Sequence, residues 1–101
     1  MKSYDNESTR RLLHALTTLK TEEEFRAFLE DVCTIKEIVD MAQRFDTALL
    51  LDKGYNYQQI GEKVGISTAT ISRVSRCLNY GSGGYRTVID RVKGDVKVDE
   101  I

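Results

Sequence analysis

Residues 56–78, NYQQIGEKVGISTATISRVSRCL, decide how this chain folds. Two helical patterns flank a glycine. Ile60 and Val64 make the inner face of a short first helix, while Ile71, Val74 and Leu78 recur at helical spacing along a second. Gly65 supplies the positive φ that a tight turn demands. Ile66 plugs the corner, and Gly61 leaves room for the second helix to cross closely. The arrangement is a helix-turn-helix.

The outer face of the second helix is unusual for a helix that only packs. Within GISTATISR, residues 65–73, five small hydroxyl or methyl side chains surround two isoleucines, and the run ends on an arginine. At about 100° per residue, Ala69, Ser72, Arg73 and Arg76 lie opposite the apolar stripe, with Ser67, Thr68 and Thr70 at the helix start. Short side chains let a backbone approach base edges in a major groove about 12 Å wide. Hydroxyls reach phosphates or bases, and arginines form forked contacts with guanine or phosphate. Gln58 and Lys63 on the first helix suit contacts that fix register on a duplex. These features predict double-stranded DNA as partner. A packing or protein-docking module on the same scaffold is the alternative, since fold alone does not specify function.

Charge distribution supports the nucleic-acid reading. The formal net charge is only −1, but it is unevenly placed. Residues 1–54 carry 8 basic and 11 acidic side chains, residues 55–93 carry 6 and 2, and residues 94–101 carry 1 and 3. The helix-turn-helix therefore sits in a locally basic block, the field an anionic partner would meet.

Working outward, helix starts are marked by Thr21 with Glu24, Thr34 with Glu37, and Asn56 with Gln59, each spaced as a capping box. Gly54, Gly65 and Gly81 fall where helix ends use a left-handed residue. The expected helices cover about 5–19, 22–32, 35–53, 57–64, 68–80 and 85–93, with boundaries good to ~2–4 residues. With no Pro and many good helix formers, the predicted class is all-α. Length allows one domain over 1–101. Within it, 1–53 supply dimerisation helices, 56–80 the helix-turn-helix, 85–93 a last helix, and 94–101 an exposed tail that frays.

The dimer expectation comes from the third helix. Ile38, Met41, Ala42, Phe45, Ala48, Leu49 and Leu51 spread around its circumference, so it needs cover on several sides. A second copy is a natural source in so short a chain. No apolar run approaches the ~20 residues of a membrane span, and the first eleven residues lack the apolar core of a signal peptide. A cytoplasmic protein is expected. Cys33 and Cys77 then read as reduced, isolated thiols. His14 has no second ligand at metal spacing, and no nucleophile–base pair is evident, so neither a metal site nor an enzyme is expected.

From about Leu12 to Val92 the chain resembles the Trp repressor family. More closely, it resembles the small Trp-repressor-like proteins of the YerC/YecD group, through TIKEIVDMAQRFDTALLLDKG (34–54) and GISTATISRVSRCLNYG (65–81). The resemblance implies a six-helix, intertwined homodimer that sets two recognition helices in successive major grooves. It also implies a transcriptional regulator, with repression as the sign. The family's tryptophan pocket maps onto Thr34, Arg44 and Arg73 as a possible effector site. Two positions depart: Val74 replaces a glycine that makes room for the indole, and Cys77 replaces a serine. The turn after Gly54 is also one residue shorter. A branched Val74 would fill the slot, and overpacking costs about 1–3 kcal/mol. Tryptophan is therefore not expected as corepressor, and no cofactor is predicted.

Overall fold

The structure is a computed structural model, and it describes residues 3–101. Six helices form: α1 (Glu7–Thr17), α2 (Glu22–Val32), α3 (Ile35–Lys53), α4 (Tyr57–Val64), α5 (Thr68–Tyr80) and α6 (Gly84–Val92). A 3-10 turn, Val98–Glu100, follows. The chain divides into two compact units, 1–38 and 39–101.

Local chemistry fixes the helix starts. Thr34 and Glu37 form a reciprocal box: the Glu37 N–H donates to the Thr34 hydroxyl (3.1 Å), and the Thr34 N–H donates to the Glu37 carboxylate (2.8 Å). Asn56 and Gln59 do the same at 2.8 and 2.9 Å. At α2 the Thr21 hydroxyl caps Glu24, but the Glu24 carboxylate reaches one residue further back, to the Lys20 N–H (2.8 Å). Asn6 caps α1 through the Thr9 N–H, so α1 starts at Glu7, within the margin of its expected start.

In the first unit, α1 and α2 carry stripes at helical spacing, yet neither helix buries a side chain. Leu13 is 53% exposed, Val32 57% and Ile35 82%.

The second unit has a continuous core. Ala48, Leu49 and Leu50 of α3 pack with Ile60 of α4, Ile71 and Val74 of α5, Ile89 of α6, and Val98. Thr47 is fully buried, and its hydroxyl donates to the Gln43 carbonyl (2.8 Å) within the same helix. Such a bond removes the penalty of burying a free hydroxyl.

Residues 94–101 do not fray. Val98 is buried, and Val96 and Ile101 pack against the core. The Asp99 carboxylate accepts from the Lys53 ammonium (3.0 Å) and from the Tyr55 hydroxyl. Those partners hold the Asp99 carboxyl below its ordinary range, the Tyr55 hydroxyl contributing most, and the Tyr55 phenol is raised in turn by the same bond. The alternating valines in GDVKVDEI therefore mark a segment that plugs the core.

Candidate nucleic-acid interface

The helix-turn-helix is built from residues that hold its two helices at a fixed turn. Ile60 is fully buried on α4, and Val64 packs on the same core. Gly65 ends α4 in the left-handed region, at φ 78. A Cβ there would meet no atom within 4 Å, so the need for glycine is conformational. Gly61 has a different status. A Cβ at that position would meet only the Ile66 carbonyl oxygen, at 3.7 Å, an ordinary contact. Close helix crossing does not demand glycine there.

Ser67 starts α5. Its hydroxyl accepts from the Thr70 N–H (3.2 Å) and lies 3.0 Å from the Thr70 hydroxyl. Both groups thus shape the helix start, and Thr70 is half-buried. Ile71 and Val74 are buried, with Leu78 packed beside them. Opposite them Ala69, Arg73 and Arg76 stand exposed, with Thr68 exposed at the helix start and Ser72 half-buried at the edge. The small-residue face predicted from GISTATISR is present.

Charge pairing sorts the basic residues. Arg86 bonds Asp52 (2.7 Å) and Asp90 (3.3 Å), and Lys93 lies 3.5 Å from Asp90. The Lys63 ammonium donates to the Ile101 carbonyl (3.2 Å) and sits over the Tyr55 ring, 5.5 Å from its centroid. Lys63 is thus drawn toward the last segment, away from the free state a phosphate contact would use. Gln58 leans on its own helix, 3.5 Å from the Glu62 carboxylate. Arg73 and Arg76 make no salt bridge among the described residues, and both project from the outer face of α5. Uncompensated guanidinium groups beside small side chains suit an anionic, grooved surface.

Two exposed aromatics were missed in the sequence. Tyr80 is 87% exposed and lies four residues beyond Arg76, on the same face as Ala69 and Arg73. Tyr57, 39% exposed, opens α4. Helical phase alone could have found Tyr80.

Thr34, Arg44 and Arg73 are the possible effector residues. Thr34 belongs to the first unit, where its hydroxyl caps α3. Arg44, in the second, lines a cleft of about 310 Å³ with Met41, Phe45, Gly84, Tyr85 and Val88. Arg73 is not among the residues lining that cleft. Val74 is 2% exposed and belongs to the core. Gly81 also differs from expectation. Its φ is −83, and the left-handed residue is Gly83 at φ 88. Gly81 is nevertheless constrained, because a Cβ would collide with the Cys77 carbonyl oxygen.

No group of His, Cys, Asp and Glu among the described residues could hold a metal ion. No helix there is long and apolar enough to cross a membrane.

Comparison with known proteins agrees with this geometry. A model of the family Trp repressor protein matches residues 7–93. The uncharacterized protein YerC of Bacillus subtilis (strain 168) is 49% identical over 82 residues, covering 81% of this chain and 79% of that protein. Among solved structures, a TrpR-like protein from Eubacterium eligens ATCC 27750 superposes with a TM-score of 0.84 at 45% identity, covering 92% of this chain and 95% of that one. A putative Trp repressor from Staphylococcus aureus gives 0.82 at 39% identity, with 87% and 88% covered. On these matches, and on its six helices with a helix-turn-helix at α4–α5, the chain belongs to the Trp repressor family.

Proposed function

We propose that this protein is a sequence-specific DNA-binding transcriptional regulator that acts as a homodimer and represses. One observation carries the DNA reading: the outer face of α5, where Arg73 and Arg76 stand exposed and unpaired beside small residues. Thr68, Ala69 and Ser72 allow close approach to base edges, and the arginines read guanine or grip phosphate. Ser67 and Thr70 contribute by holding the helix start toward the groove. Gln58, exposed on α4, serves as a contact to the duplex backbone. The regulatory, non-enzymatic role follows the family.

The homodimer is supported by the first unit. Its helices bury no side chain, and a second copy of the same apolar surface is the partner a symmetric interface would use. Tryptophan has no role in this reading, because Val74 is packed into the core where an indole would need space.

The test begins by selecting genomic DNA fragments on the purified protein, then titrating the recovered duplexes over a range of salt. Affinity should fall steeply, with log K decreasing by about 0.9 per neutralised phosphate for each unit of log salt. Arg73→Ala and Arg76→Ala should each cost about 1–3 kcal/mol, and added tryptophan should change nothing. Absence of DNA binding even at low salt would favour a protein-docking module instead.

A further inference from the structure

The recognition helix is joined to α6 by Gly81, Ser82, Gly83 and Gly84, the last of which already opens α6. A connector so rich in glycine has little stiffness of its own. The direction in which α5 presents its outer face must therefore be set by side chains that bridge it to its neighbours. Tyr85 is placed to do this. It is half-buried and packs against the core cluster.

Tyr85 also belongs to two adjoining clefts. One is the Arg44 cleft against α3 described above. The other, about 370 Å³, is lined by Cys77, Gly81, Ser82 and Gly84 at the end of α5. Tyr85 is thus common to both, beside α3 residues in one and beside Cys77 of α5 in the other. Its phenol feels the Arg44 guanidinium from α3 and the Cys77 thiol from α5, while burial pushes its pKa up.

We infer that Tyr85 is a positioning residue for the recognition helix, its ring bridging α3 and α5 so that Arg73 and Arg76 are held in the orientation that reads DNA. This rests on the DNA-binding reading but assigns Tyr85 no contact with DNA. Removing the ring would join the two clefts into one groove of a shape that accepts a small phenol, as apolar cavities left by truncated side chains accept aromatic molecules.

The experiment compares Tyr85→Phe, Tyr85→Leu and Tyr85→Ala with the unchanged chain. Each is checked for folding by circular dichroism and thermal melting before DNA titration. Tyr85→Leu and Tyr85→Ala should weaken DNA binding by about tenfold or more, as expected when a binding constellation loses its support. The slope of log K against log salt should stay the same, because no phosphate contact is lost. Tyr85→Phe should retain most of the affinity. Millimolar p-cresol should restore binding to Tyr85→Ala and leave the unchanged chain unaffected. If Tyr85→Ala does not fold, Tyr85→Leu decides alone.

A second readout needs no DNA. Amide hydrogen exchange in Tyr85→Leu should accelerate selectively over residues 77–81, with α4 unaffected. Failure of the unchanged chain to bind DNA would count against the functional reading, while this exchange pattern would still decide the bridging role. Full DNA affinity in folded Tyr85→Leu, a shallower salt slope, or exchange that rises uniformly along the chain would each overturn the inference.

Discussion

Residues 7–32 and residues 57–80 each contain two amphipathic helices of similar length, and the two pairs differ completely in burial. In α4 and α5 the apolar stripes converge with α3, α6 and the last segment, so that Ile60, Ile71 and Val74 are nearly or fully sealed from water. In α1 and α2 stripes just as regular remain open, with no side chain buried. Periodicity therefore says that a face is apolar, and only the neighbouring surfaces decide whether that face is covered. The second pair finds its cover within residues 39–101. The first pair presents the surface from which the dimer is inferred.

The largest expected effect would come from spoiling that open surface. Leu13→Asp combined with Ile35→Asp places charges on an apolar face that a two-fold interface would contain twice. Each lost side chain removes about 1.5–3 kcal/mol of burial per chain. Light scattering at micromolar concentration should give twice the chain mass for the unchanged protein and one chain mass for the double variant. A single-chain mass for both would break the contrast, leaving the first unit apolar without a partner.

A sharper comparison uses one truncation inside the sealed pair. Ile60→Ala empties a fully buried site and should cost about 2–5 kcal/mol in urea unfolding, with the loss visible whatever the chain concentration. The same unfolding of Leu13→Ala should depend on concentration, because in the proposed dimer its cover comes from the second chain. A concentration-independent loss of equal size in both would mean that α1 is covered within its own chain.

The smallest effect concerns Asp99. Its carboxyl is held below the ordinary value of 3.8 by the Tyr55 hydroxyl and the Lys53 ammonium. A folded-state pKa below the unfolded one adds stability that is complete above the unfolded value and is lost as pH falls through the folded one. Melting curves of the unchanged chain and Asp99→Asn should differ slightly at neutral pH and converge in acid below about pH 4. A constant gap down to strong acid would show that the charge on Asp99 plays no part in holding the last segment.

Much of the fold was legible because its signals are local. Capping pairs three residues apart set the starts of α2, α3 and α4, and the spacing of Ile60, Val64, Ile71 and Val74 gave the helix-turn-helix. The features that escaped depend on distant partners. Lys63 reads as a free cation until the Ile101 carbonyl, 38 residues later, is placed beside it. Residues 94–101 look too short to matter until Val98 is seen in the core. Gly81 is a different case, a local one: it ends α5 at a negative φ, and the left-handed glycine is Gly83, at the start of α6. At the candidate site, helical phase located the exposed arginines. It could not tell which basic residues were already paired.

The side-chain caps have a consequence for the speed of folding. Asn6, Thr21, Thr34, Asn56 and Ser67 each close the start of a helix with a partner three residues away. Such bonds form without any distant contact, so helix starts can be in place before the chain has collapsed. Helical topologies dominated by short-range contacts reach the native state in microseconds to milliseconds. The chain contains no proline, so no X-Pro isomerisation stands in its way on the scale of tens of seconds. In the proposed dimer, a slow step in refolding would belong to the meeting of two chains, and its rate would rise with their concentration.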